Sequence, residues 1–195
     1  MAYFPFFLEL RNLPCLAIGG GQVAFAKVKS LLSCGAKVTV VSPQLVTGLK
    51  GLTRQKQIRW RRGRFRSSDL NGVQVVVAAT DDQAVNELAS RLAKRKGVLI
   101  NVVDQPALCS FIFPSVVRRG KLVIAISTGG VSPGLSKWIR KDLQRRYGPE
   151  LGDLLKKMAR VRDRIKRKIP SYNRRKKLLE KALAAYFQVV REGIQ

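Results

Sequence analysis

The chain has 195 residues, 38 Lys and Arg against 12 Asp and Glu, no histidine, and a formal net charge of +26. Its length suits one domain with an appendage or two small domains, and without histidine it lacks the commonest general base and the commonest transition-metal ligand. Cys15, Cys34 and Cys109 are odd in number and widely spaced, which argues against a disulfide framework or a zinc site and for a reducing cytoplasm.

Phe4-Pro5-Phe6-Phe7-Leu8 reads as an apolar lead-in packed on the first strand. Leu13-Pro14-Cys15-Leu16-Ala17-Ile18 is a short apolar run that suits a buried parallel strand. Gly19-Gly20-Gly21 forces a turn, and a run of helix formers follows from Gln22 to Leu32. Strand, glycine turn and helix open a dinucleotide-binding βαβ unit, in which free N–H groups at the helix start hold a pyrophosphate. The pattern is Gly19-x-Gly21-x-x-Ala24, and the usual acid after the second strand is absent near Ser42-Pro43-Gln44. Taken alone, the motif also fits a glycine-rich turn of another α/β fold.

Gly35 stops the first helix, and Lys37–Val41 is the second strand. A short helical segment is expected between Ser42 and Leu52. Ile58–Arg62 reads as a charged edge strand; Trp60 and Phe65 among Arg61, Arg62, Arg64 and Arg66 also resemble a nucleic-acid patch, with a solvated edge as the plainer reading. Val73–Ala79 is a buried strand ending in Thr80-Asp81-Asp82. Gln83–Lys96 is an amphipathic helix with Val85, Leu88, Ala89, Leu92 and Ala93 on its inner face, and Val98–Val103 is the next strand. This order predicts an α/β fold, a Rossmann-like, mostly parallel sheet with helices on both faces. Ligands of such sheets bind beyond the carboxyl ends of the strands. The ends at Gly19–Gly21, Thr80–Asp82 and Asn101–Asp104 should therefore converge.

Ser110–Phe113 and Lys121–Ser127 are strand-like and are expected to pair as a hairpin across Arg118-Arg119-Gly120. Thr128–Gly134 is a second glycine loop, with Ser132 as N-cap and Pro133 at the first position of a helix reaching about Arg146. From Pro149 the chain is helical and very basic, interrupted at Pro170, with a final helix marked by residues from Leu178 to Val190. The expected division is 1–113, a nucleotide-binding domain; 114–148, a dimerisation region; and 149–195, a basic helical region. Residues 114–195 carry 22 Lys and Arg against 6 Asp and Glu. Such charge implies a polyanionic partner, nucleic acid by default. No apolar run is long enough to span a bilayer, and the first eleven residues lack a signal peptide's basic start and cleavage site. No membrane partner and a cytoplasmic location are therefore expected.

Five motifs occur in order: Gly19-Gly20-Gly21-x-Val23-Ala24, Ala78-Ala79-Thr80-Asp81-Asp82, Asn101-Val102-Val103-Asp104-x-Pro106, Ser110-Phe111-Ile112-Phe113-Pro114 and Ile126-Ser127-Thr128-Gly129-Gly130-x-Ser132-Pro133. Together they closely resemble the precorrin-2 dehydrogenase/sirohydrochlorin ferrochelatase family of sirohaem synthesis, from about Tyr3 to Arg146. The resemblance implies NAD-dependent oxidation of precorrin-2 to sirohydrochlorin and a homodimer. For some members it also implies insertion of ferrous iron as a substrate. It maps cofactor contacts onto Gln22, Val23, Pro43 and Gln44, and the family's key acid onto Asp104. The missing acid after the second strand is normal for this family.

The substrate carries eight carboxylates, so a cationic crevice suits it as well as nucleic acid. Nucleic acid then becomes an unlikely partner, although +26 exceeds what one ligand requires. NAD rather than NADP is expected, because no Arg or Lys lies between Val41 and Leu49. In the absence of histidine, Asp104 is the expected proton acceptor; its competing reading is a turn residue before Pro106. Gly19, Gly20, Gly21, Thr80, Asp81, Asn101 and Val102 complete the expected cofactor set. Ser127, Thr128, Gly129 and Gly130 are expected to hold a substrate carboxylate or simply to cap a helix. No metal ligands are assigned. A dinucleotide-sensing regulatory module and a nucleic-acid-binding α/β protein are the alternatives from other classes.

Overall fold

The computed structural model describes residues 3–192. It divides into two compact units, Met1–Phe113 and Pro114–Gln195.

The first unit holds five parallel strands: β1 (Pro14–Ile18), β2 (Lys37–Ser42), β3 (Ile58–Arg62), β4 (Val75–Ala78) and β5 (Leu99–Val102), in the order β3-β2-β1-β4-β5. Its helices are α1 (Gln22–Leu32), α2 (Thr47–Arg54) and α3 (Gln83–Arg95). Alternation along the strands sends side chains to two cores. Cys15, Ala17, Val38, Val40, Val75 and Val77 meet Ala24, Val28 and Leu31 of α1 and Leu49 of α2. Leu16, Ile18, Val41, Val76 and Ile100 meet Ala89 and Ala93 of α3 on the other face. With both faces covered, the central strands are apolar without alternation, as parallel strands require.

One sequence reading changes here, and another gains detail. Phe4, Phe6, Phe7 and Leu8 do not pack on the first strand but are exposed, Phe4 at 84%. Leu10 and Leu13 close that side of the core instead. The buried line of α3 is Asn86, Ala89, Ser90 and Ala93, while Val85, Leu88 and Leu92 are only half-buried. Two polar residues fit inside because each has a backbone partner: Asn86 Nδ2 donates to the Thr80 carbonyl (2.9 Å) and Ser90 Oγ to that of Leu108 (2.6 Å).

The second unit contains an antiparallel hairpin, β6 (Ser115–Arg119) and β7 (Leu122–Ile126), then α4 (Pro133–Arg146), α5 (Glu150–Lys168) and α6 (Tyr172–Glu192). The hairpin thus begins after Pro114, and Ser110–Phe113 is not a strand. Ser110 and Phe111 donate their N–H groups to Ile100 O, and the Phe111 and Phe113 side chains pack on the first core. This unit contains both the expected dimerisation region and the basic helices. Gly152 of α5 lies against the turn of the hairpin, where an added Cβ would come within 3.2 Å of Arg119 C and Gly120 N. The Phe187 and Val190 side chains lie outside the described residues.

Candidate active site

Parallel register sets four strand ends level. Ile18 stands opposite Val41 and Ala78, and Ala78 opposite Val102. The ladder continues one residue further: Gly19 N–H donates to Val41 O (2.9 Å), Ala79 N–H to Ile18 O (2.8 Å) and Val103 N–H to Ala78 O (2.9 Å). The three segments named from sequence therefore leave the sheet at one edge.

The glycine turn is specific at each position. Gly19 has φ +113°, and a Cβ there would collide with the Ala79 carbonyl. A Cβ on Gly20 would collide with the Gln44 carbonyl and reach Ser42 Oγ at 2.7 Å. Gly21 has ordinary extended backbone, and a Cβ on it would meet nothing within 4 Å. Gly19 and Gly20 are thus required by the protein itself, whereas the space over Gly21 is open. Gly21 is the N-cap of α1, makes no side-chain capping bond, and is followed by no acid in the first turn. An uncapped helix start with open space and exposed Gln22 and Val23 fits a dinucleotide pyrophosphate.

Pro43 and Gln44 are exposed beyond β2. Beside them, Trp60 Nε1 donates to Ser42 O (3.0 Å) and its ring is half-buried, so it is not a free stacking platform. Arg61 is bound to Asp69 and to the Arg64 carbonyl, although β3 places Arg62 opposite Ser42. Beyond β4, Thr80 Oγ1 accepts from Asp82 N–H (3.1 Å), and Asp82 caps α3 by accepting from Val85 N–H (3.1 Å). Asp81 is exposed.

Asn101 and Val102, named as cofactor contacts, are both bonded within the chain. Asn101 is buried and its amide donates to Phe111 O (3.1 Å) and Cys109 Sγ (3.5 Å). Val102 is a core residue whose N–H also meets Cys109 Sγ (3.2 Å). Both hold the exit segment Cys109–Phe113 against β5. Asp104 is exposed at the edge with φ +58°, a left-handed conformation that Asp and Asn tolerate better than other side chains.

Two residues were missed by pattern reading. Lys27 counted only as a helix stem; its Nζ lies 4.2 Å from the centroid of the Phe113 ring. Burial lowers its pKa, and the Asp104 carboxylate opposes that shift. Asn86 Oδ1 is buried without a partner at the start of α3. A polar residue at an inner helix position was the available signal for both.

In the second unit, Ser127 Oγ accepts from Gly129 N–H (3.0 Å), and Thr128 Oγ1 bonds the Ser132 backbone and Ser136 Oγ. Gly129 and Gly130 are exposed with φ +65° and +90°. Ser132 caps α4 through Leu135 N–H (3.2 Å). The two hydroxyls are thus engaged in building the loop. Among the described residues no group of three or more Cys, Asp and Glu is placed to hold a metal ion, and no helix is long and apolar enough to cross a membrane. A hollow lined by Leu13, Val75, Lys96 and Leu99 opens at the opposite, amino-terminal edge of the sheet and contains no carboxylate.

Comparison with known proteins agrees with this architecture. Residues 6–115 match the family described as "Putative NAD(P)-binding", and residues 119–146 the family "Sirohaem biosynthesis protein central". The chain is 40% identical to a siroheme synthase of Methylococcus capsulatus and 36% identical to one of Photorhabdus laumondii, over 94% and 97% of its length. It spans only 39% and 40% of those relatives. A solved structure titled "SirC, precorrin-2 dehydrogenase" is 30% identical, covers 92% of this chain and 88% of its own, and superposes with a TM-score of 0.77. The chain therefore belongs to the sirohaem biosynthesis family in which an NAD(P)-binding domain precedes the central region.

Proposed function

We propose that the chain catalyses the NAD-dependent dehydrogenation of precorrin-2 to sirohydrochlorin. The observation that carries this reading is the shared edge of the sheet: an uncapped helix start over open Gly21 and an exposed carboxylate, Asp104, leave the strands at one level. The likeness to a precorrin-2 dehydrogenase across nearly the whole of both chains supports it.

The oxidation removes two hydrogens from the macrocycle, one as hydride and one as a proton. NAD supplies the hydride acceptor when bound. Gly19–Gly21, Gln22 and Val23 would hold its pyrophosphate, and Pro43 and Gln44 would line the ribose side. Asp104 takes the proton on a carboxylate oxygen and, being exposed, returns it to water. In the second unit, Ser127–Gly130 would offer a substrate carboxylate backbone N–H groups other than that of Gly129, which Ser127 Oγ already accepts, since both hydroxyls are engaged within the loop. The same reading includes a homodimer, supported by exposed Val131, Leu135 and Trp138, spaced four and three apart along one side of α4 and its lead-in. Ferrous iron enters only as a second substrate.

The test is anaerobic incubation of the protein with precorrin-2 and NAD, followed by absorbance of NADH and sirohydrochlorin. Ferrous iron is added in a second arm. Stoichiometric formation of both products is expected. NAD binding with no change in the tetrapyrrole would favour a sensing module instead.

A further inference from the structure

Lys27 stands apart from the other cations of the first unit. Most of those are exposed. Lys29, two residues on, also lies over a ring, that of Phe25 at 4.5 Å, but is solvated. Lys27 is half-buried, and its ammonium sits on Phe113. Phe113 is itself held by Phe111, with ring centroids 5.3 Å apart, and the Phe111 carbonyl is held by Asn101. Among the described residues no carboxylate lies within ion-pair distance of Lys27. A half-buried cation is thus fixed on a braced aromatic surface with no carboxylate in ion-pair contact, an arrangement that an arriving anion would stabilise.

Its place in the fold selects the anion. The N-terminus of α1, where a pyrophosphate is expected, lies about 8 Å away along the helix axis at 1.5 Å per residue. The carboxylate that acts on Lys27 through space is Asp104, after β5. The ribose side of the cofactor belongs to the opposite side of β1, after β2.

We propose that Lys27 is a substrate-binding residue whose ammonium, seated on Phe113, receives one peripheral carboxylate of the tetrapyrrole. This inference rests on the reading of the site as a precorrin-2 dehydrogenase. It explains why a lysine occupies a half-buried position of α1: the ring and its supports hold the cation in place before substrate arrives, so that little ordering is needed on binding.

The full-length protein and its Lys27→Met and Lys27→Arg variants test this by steady-state kinetics with precorrin-2 and NAD varied separately. Methionine retains the stem and its packing but removes the charge. Lys27→Met is expected to raise the KM for precorrin-2 roughly ten-fold or more, the usual size of a lost charge-assisted hydrogen bond. Its kcat, its KM for NAD and its thermal midpoint should change little, and Lys27→Arg should recover most of the loss. An unchanged KM for precorrin-2, a rise confined to the KM for NAD, or a fall in kcat alone would each overturn the inference. If the wild-type protein oxidises no precorrin-2, the dehydrogenase reading fails by itself. Lys27 is then judged by fluorescence titration with uroporphyrin, an octacarboxylate tetrapyrrole: weaker binding by Lys27→Met supports the carboxylate site, and equal binding overturns it.

Discussion

Cys15 lies in β1 at 1% exposure, among Ala17, Val38 and Val75, and burial pushes its thiol up to about 11 from an ordinary value near 9.0. The unfolded chain therefore releases this proton before the folded one does. Its contribution to stability is complete below about pH 9 and is lost as pH rises through the folded value. That rise corresponds to roughly 2–3 kcal/mol. Between pH 9 and 11 the wild-type thermal midpoint should fall more steeply than that of Cys15→Ala; parallel curves from calorimetry would contradict this. The same burial keeps Cys15 inert toward alkylating agents at neutral pH. Asp104 and Lys27 illustrate the other limit of single residues. The position of Asp104 past a strand end was legible in the sequence, but its left-handed backbone was not. Lys27 looked like a surface stem because hydrophobic periodicity cannot distinguish a solvated lysine from one lying on a distant phenylalanine.

At the level of elements, the strand–turn–helix opening separates structural glycines from the one facing open space. Gly20→Ala places a methyl group against the Gln44 carbonyl and should cost about 1–3 kcal/mol, as overpacking does. Gly21→Ala should leave the thermal midpoint nearly unchanged while weakening NAD binding about ten-fold or more. Fluorescence titration and thermal melts of the two variants check this, and normal NAD affinity in Gly21→Ala would place the pyrophosphate elsewhere. In the second unit, Gly152→Val should lower stability by a similar 1–3 kcal/mol, because its side chain would enter the backbone of the β6–β7 turn; an unchanged melt would show that α5 can shift. The sheet was legible because four apolar runs and one charged edge strand alternate with helices and turn residues. The start of the hairpin was misplaced by one segment. Ser110–Phe113 has the composition of a strand, but its bonding is set by single long-range partners, Ile100 and Asn101, which no local pattern encodes. Likewise α3 buries Asn86 and Ser90 because loop carbonyls await them.

For the whole molecule, charge and apolar surface make separate predictions. Exposed Val131, Leu135 and Trp138 should be covered in a homodimer, giving about twice the 21.7 kDa chain mass on sedimentation at micromolar concentration. Trp138→Glu should yield a folded monomer, whereas a wild-type monomer at every concentration would remove the dimer from the account. The positive charge extends through α5 and α6, beyond what one octacarboxylate ligand requires, and nothing in the described residues explains that excess. The central claim concerns the edge at which the helix start and Asp104 both leave the sheet. Asparagine keeps the shape, local hydrogen bonds and tolerance of the φ +58° backbone at this position, and removes only the ability to take a proton. The most direct measurement is the anaerobic rate of precorrin-2 oxidation by Asp104→Asn relative to wild type. A loss of roughly 10²–10⁴-fold, with NAD affinity and thermal midpoint unchanged, is the expected result; a near-normal rate would contradict the catalytic role of Asp104.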